Sequence, residues 1–205
     1  MNRMQCNLSK IRIGMTVVLV GLAAAGRSEE IDLAGVWRLA GTNESGRAIA
    51  CPIAVPGDVH SALFAADLMA DPFWGCNETN AQWVGFHDWA VSRDFTVGEG
   101  FRSRRKVILR LEDCDTFADI LVNGVKVGST CDRFLRWDFD VKPYLRAGTN
   151  TIRGVFASAT RRGDAIARRY GKTYPMFAQP HSYVFNHSVV RNPPVTRDGI
   201  GAFVR

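Results

Sequence analysis

The sequence has no Cys-x-x-Cys pair, and none of its four histidines stands near a cysteine at zinc-ligand spacing. Zinc ribbons and dithiol redox motifs are therefore excluded. The apolar run Ile13–Leu22 falls far short of the ~20 residues that a membrane-spanning helix needs. There is no internal repeat and no low-complexity stretch. Nor is there any regular exchange of helical and strand periodicity, so a parallel α/β sheet is not expected. The net charge of +6 raises the question of a nucleic-acid partner. Its basic residues gather at Arg102, Arg104, Arg105 and Lys106, at Arg161 and Arg162, and at Arg168 and Arg169. These clusters do not interleave with aromatics and match no nucleic-acid module, so a solvated surface is expected and nucleic acid is not.

What is present begins with an N-terminal export pattern. Lys10 and Arg12 precede the apolar run, and small residues follow at Ala23, Ala24, Ala25 and Gly26 before polar Arg27 to Glu30. That order predicts a signal peptide over residues 1–26, cleaved near Ala25 or Gly26, and a secreted or periplasmic product with no membrane attachment after cleavage. Cys6 would leave with the leader. Cys51, Cys76, Cys114 and Cys131 remain, and three full pairings or free buried thiols are equally compatible with the sequence. Asn77-Glu78-Thr79 and Asn186-His187-Ser188 fit the glycosylation acceptor pattern, which has meaning only in a eukaryotic source.

From Ile31 onward short runs of period two dominate. Lys106–Glu112 places Val107, Leu109 and Leu111 on one face, and Trp89–Val97 places Trp89, Val91 and Val97 on one face together with Arg93. Such alternation describes strands half-buried against a second sheet. Asn123-Gly124 between Asp119–Val122 and Val125–Val127 predicts a two-residue type I′ hairpin, because both residues tolerate the positive φ it requires. Val36–Leu39, Trp137–Val141 and Thr151–Ala157 read as further strands, the last after a turn at Gly148-Thr149-Asn150. A short helix capped by Asp58 is expected over residues 58–68, and another over 160–170. The fold class expected is all-β, a two-sheet sandwich or barrel with one or two short helices.

Several motifs then occur in order: Leu33-Ala34-Gly35-Val36-Trp37, Val55-Pro56-Gly57-Asp58-Val59-His60, Asp71-Pro72-Phe73-Trp74-Gly75-Cys76-Asn77-Glu78, Gln82-Trp83-Val84, Asp88-Trp89, Asp115–Ile120, Asn123-Gly124 and Phe139-Asp140-Val141. In order and spacing they resemble the N-terminal domain of β-mannosidases of glycoside hydrolase family 2, over roughly residues 31–191. The resemblance implies a galactose-binding-like jelly roll for residues 27–191. It also implies a parent reaction, the retaining hydrolysis of terminal non-reducing β-D-mannose residues. In that family two glutamates about 5 Å apart do the chemistry on a separate (β/α)8 barrel. Such a barrel takes about 250 residues, so no catalytic residue is expected in this chain, and neither Glu78 nor Glu112 is a candidate. No cofactor and no metal site are expected either.

The family's N-terminal domain closes one side of the sugar pocket, and the corresponding loop residues here are Asn77, Glu78, Gln82 and Trp83. They are the candidate substrate-binding set, with a β-mannoside as partner and the barrel as the surface the domain normally packs on. Trp83 and Trp89 also fit as ordinary sandwich aromatics. After Arg191 the family would read Lys-Pro-Ala-Cys-His-x-Gly-Trp-Asp-Trp-Gly, whereas this chain reads Asn192-Pro193-Pro194-Val195-Thr196-Arg197-Asp198-Gly199-Ile200-Gly201. Deleting one base at the codon for residue 192 converts one into the other. A frameshifted, poorly ordered tail is therefore expected over residues 192–205, ending a truncated domain without hydrolytic activity. The alternative is a stand-alone carbohydrate-binding module.

Overall fold

The computed structural model describes residues 18–21, 29–170 and 203–204. Two antiparallel sheets carry the fold. The larger contains β3 (Gly35–Thr42), β4 (Ala48–Val55), β6 (Trp89–Val97), β8 (Ala118–Val122), β9 (Val125–Thr130) and β11 (Gly148–Phe156), in the order β4-β3-β6-β11-β8-β9. The smaller contains β1 (Val18–Gly21), β2 (Glu29–Asp32), β7 (Val107–Leu111) and β10 (Trp137–Asp140), in the order β10-β7-β1-β2. A two-residue ladder joins β5 (Gly57–Asp58) to β12 (Phe203–Val204). The helices are α1 (Val59–Ala65), α2 (Asn77–Ala81), α3 (Glu99–Arg102) and α4 (Ala159–Tyr170).

The expected alternation is seen strand by strand. Along β7, Val107, Leu109 and Leu111 are buried while Ile108 and Arg110 are half-exposed. Along β6, Trp89, Val91, Phe95 and Val97 are buried, and these side chains join those of β7 in one continuous core. Arg93 interrupts the apolar face for a specific reason. Its guanidinium donates to the carbonyls of Leu33 and Ala34, satisfying the turn that enters β3. Burying that face removes apolar surface from water at about 25 cal/mol per Å².

The Asn123-Gly124 hairpin has φ of 51° and 83° at its two central residues, as a type I′ turn requires. Its Asn123 does more than turn the chain. The side-chain amide donates to the Tyr144 carbonyl and to Asn150 Oδ1, and accepts from the Thr151 backbone, tying the hairpin to the start of β11. Asn150 is fully buried and donates to the Arg146 and Gly148 carbonyls. Here one expectation is corrected. Gly148-Thr149-Asn150 is not a turn ahead of the strand but its first three residues, because Gly148 pairs with Val97 and Asn150 with Phe95.

Helix α1 starts where expected, with Asp58 accepting from the Ser61 N–H at 2.8 Å. It stops earlier than residue 68, as Asp67 turns to φ 55°. Helix α4 adopts the predicted span within one residue. The predicted leader and tail lie outside the described residues apart from two short pieces: Val18–Gly21 forms β1, and Phe203–Val204 forms β12.

Candidate functional site

The candidate residues lie on one rim segment that joins α1 to β6. Asp71 caps a tight turn by accepting from the Phe73 N–H at 2.9 Å, and its carbonyl accepts from Asn77 Nδ2 at 3.0 Å. The Asn77 side chain is thus committed to shaping the loop, while Glu78, in the first turn of α2, stands exposed to solvent. Residues 82–86 continue as a 3-10 turn, which leaves Gln82 and Trp83 half-buried. The four candidates share this segment, but they do not all face solvent together.

Trp83 leans inward. Its ring lies 5.9 Å from that of Trp89 and meets His87 edge-on at 5.5 Å, and its carbonyl bonds His87 Nδ1 at 2.8 Å. Trp89 is core, only 1% exposed, and its indole N–H donates to the Val84 carbonyl. It lies against Gly41 of β3, where any Cβ would collide with the indole. The sandwich-aromatic role therefore holds fully for Trp89 and in part for Trp83.

Two side chains that were not among the candidates dominate the outer surface of the segment. Phe73 and Trp74 are 77% and 78% exposed. Large aromatics at that exposure offer π-faces, and the exposed Glu78 of the same segment a carboxylate, to a ligand that has both C–H faces and hydroxyls. Nothing local separates Phe73 and Trp74 from buried aromatics. The one available signal was that they follow Asp71-Pro72 outside any alternating run.

The segment is pinned from below and behind. Ser158, just ahead of α4, donates from its backbone to Asp88 Oδ1 at 2.7 Å and from Oγ to the Gly85 carbonyl at 2.6 Å, and Arg161 reaches Asp88 at 2.6 Å. From α1, His60 is buried, and among the described residues neither ring nitrogen finds a hydrogen-bond partner in good geometry. Burial pushes its pKa down to about 4, against a weaker upward pull from the Asp58 carboxylate and the nearby Ala81 backbone. His60 is therefore a neutral packing group under α2 at neutral pH.

An open hollow of about 730 Å³ lies elsewhere, between α4 and strands β8, β9 and β11. Asp88, Phe117, Asp119, Lys126 and Arg162 are among its lining residues, and none of Asn77, Glu78, Gln82 or Trp83 belongs to it. Its charges are largely matched internally. Lys126 bonds Asp119 at 2.7 Å and, with Ser129, holds that carboxyl below its ordinary range, while Arg162 stacks over Phe117 at 5.8 Å. Among the described residues, no group of three His, Cys, Asp or Glu side chains is placed to hold a metal ion. The thiols of Cys51, Cys76, Cys114 and Cys131 are all unpaired. Burial pushes Cys114 up to about 11, which makes it inert rather than nucleophilic at neutral pH.

Comparison with known proteins places the molecule among others. The family described as glycosyl hydrolase 2 galactose-binding domain-like matches residues 37–194. A β-mannosidase from Rattus norvegicus is 33% identical over 150 residues, covering 73% of this chain and 16% of its own length. The β-mannosidase A of Emericella nidulans is 30% identical over 158 residues, covering 76% of this chain and 16% of its own. A crystal structure of β-D-mannosidase from Dictyoglomus thermophilum superposes with a TM-score of 0.63 at 32% identity, covering 74% of this chain and 18% of that one. The chain thus spans about a sixth of the length of the curated relatives it matches.

Proposed function

Since the chain belongs to the glycosyl hydrolase 2 galactose-binding domain-like family, homologous over 73% of its length to the N-terminal domain of β-mannosidases, we propose that its domain is a sugar-facing, non-hydrolytic part of a β-mannosidase-type glycosidase. In this reading the parent reaction is the removal of terminal non-reducing β-D-mannose, and bond cleavage belongs to a barrel on which the domain packs. The contribution of the domain is the rim segment from Phe73 to Trp83. The aromatic faces of Phe73 and Trp74 suit the C–H face of a pyranose, and Glu78 and Gln82 suit its hydroxyls.

The observation that carries this reading is the exposure of Phe73 and Trp74, 77% and 78%, in a domain whose relatives are β-mannosidases. A folded domain places two adjacent large aromatics in water at a cost in apolar hydration, and a ligand or partner surface accounts for that cost. Titration of the full chain with β-mannosyl oligosaccharides, followed by tryptophan fluorescence, is expected to shift emission at millimolar sugar. Purified chain is expected to leave an aryl β-mannoside intact. No spectral change at high millimolar sugar would remove the sugar-facing role, and turnover that co-purifies with the chain would remove the non-hydrolytic one.

The N-terminal pattern of Lys10, Arg12, Ile13–Leu22 and Ala23–Gly26 supports export to the cell exterior or periplasm. N-terminal sequencing of exported product should find a start near residue 26 or 27. A cytosolic product that begins at Met1 would contradict export.

A further inference from the structure

Strand β7 is an interior strand of the smaller sheet, with a partner on each edge. On one edge it pairs with β10, Phe139 opposite Leu109 and Asp138 opposite Arg110. On the other it pairs antiparallel with β1, Leu19 opposite Leu109 and Gly21 opposite Val107. Strand β1 also pairs with β2, Leu19 opposite Ile31, and β2 joins the sheet only through β1. Yet Val18–Gly21 lies wholly inside the apolar run that reads as an export leader. The same residues are therefore both the core of a leader and an interior strand.

Removing an interior strand differs from trimming an edge. Neighbouring strands lie about 4.8 Å apart, so the loss of β1 leaves a gap roughly 10 Å across between β7 and β2. Rows of backbone N–H and C=O groups would face that gap from both sides, beside the buried side chains of Val107, Leu109 and Leu111. What the gap accepts follows from what fills it: an extended, antiparallel, β-branched segment. Ile13–Leu22 contains Val17, Val18 and Val20 and has neither proline nor charge.

We propose that the gap between β7 and β2 is a strand-acceptor groove whose occupant is the chain's own segment Val18–Gly21, and that export and folding compete for that segment. The competition rests on the export reading above; the groove does not. A leader engaged in translocation is held out of the fold, and cleavage near Ala25 or Gly26 leaves the groove without its strand. A copy that folds first pairs the segment backbone to backbone and withholds it from both processes. The exported, processed domain is then the less stable form, with an open strand edge next to its core.

Hydrogen exchange on the uncleaved full chain tests the groove. The readout is the set of amides in Val107–Leu111 that do not serve β10. Leu19→Pro breaks the ladder at the centre of β1, and Gly14→Pro makes the same change four residues ahead of that strand in sequence. Protection of those amides is expected to fall roughly a hundredfold in Leu19→Pro and to stay unchanged in Gly14→Pro. A synthetic peptide of residues 13–22, added in excess to the Leu19→Pro chain, is expected to restore it. Failure of Leu19→Pro to fold while Gly14→Pro folds also supports the groove. Equal protection in the wild-type and Leu19→Pro chains overturns it. The export reading fails by a separate result, a product that is never secreted, and that result leaves the exchange data untouched.

Discussion

Trp74 and Trp89 sit in one continuous stretch of chain and have opposite surroundings. Trp89 is 1% exposed, its indole N–H is bonded to the Val84 carbonyl, and its ring lies against Gly41. Trp74 is 78% exposed and belongs to a turn capped by Asp71. The difference separates an interior that packs from a segment that leaves large aromatics in water, and β6, which carries the buried ring, marks the border between them. The same residue type holds the sheets together on one side of that border and is offered to solvent on the other.

Substitution on the interior side has the largest expected effect. Trp89→Ala removes a buried indole and leaves a cavity beside Gly41, so the loss should be about 3–5 kcal/mol in urea unfolding. A smaller loss than from Trp74→Ala would dissolve the distinction between interior and rim. Next comes the histidine beneath the rim. His60 titrates at about 4 when folded against an ordinary 6.5, so the unfolded chain takes up its proton first as pH falls. Its contribution is fully present above pH 6.5, is lost progressively down to about pH 4, and is flat below, a total of about 3 kcal/mol. Unfolding free energy measured against pH should show that slope in the wild type and lose it in His60→Leu. An unchanged slope in the variant would detach His60 from the acid response.

Asp58→Ala removes the cap of α1 and should cost about 1 kcal/mol in urea unfolding, with Asp58→Asn close to wild type. Smallest in stability is Trp74→Ala, expected within about 0.5 kcal/mol of wild type, while abolishing any mannoside-induced fluorescence change. That separation of stability from binding is what a rim residue should show and an interior one should not.

The interior was largely legible in the sequence because its strands alternate. Val107, Leu109 and Leu111 announce a face, and Asn123-Gly124 announces a hairpin by demanding positive φ. Strand β4 was harder to see. Cys51, Ile53 and Val55 are buried, but the outward positions hold Ala50, Pro52 and Ala54, which supply no polar contrast. Pro52 is tolerated because β4 is a sheet edge. The first residues of β11 read as a turn because Gly148 and Asn150 are turn formers, and only their pairing with β6 keeps them in the ladder.

The rim was legible only as a location. Asn77, Glu78, Gln82 and Trp83 were assigned through a resemblance, and the structure gives them unequal standing. Asn77 shapes the loop and Trp83 leans on the core, while Glu78 is exposed. Phe73 and Trp74 went unassigned because their exposure is set by tertiary contacts that no local period encodes. The strand made by Val18–Gly21 has the same origin: its partner strands β2 and β7 are separated by more than a third of the sequence, and local pattern describes only its hydrophobicity.

Residue-resolved NMR of the full chain, titrated with a β-mannoside and with a matched β-glucoside as control, tests the central claim most directly. The account predicts shift changes concentrated in Phe73–Trp83, with the Trp74 indole among the largest and the Trp89 indole unmoved. Changes centred on the hollow beneath α4, at Asp88, Phe117 and Arg162, or no saturable change with either sugar, would contradict it.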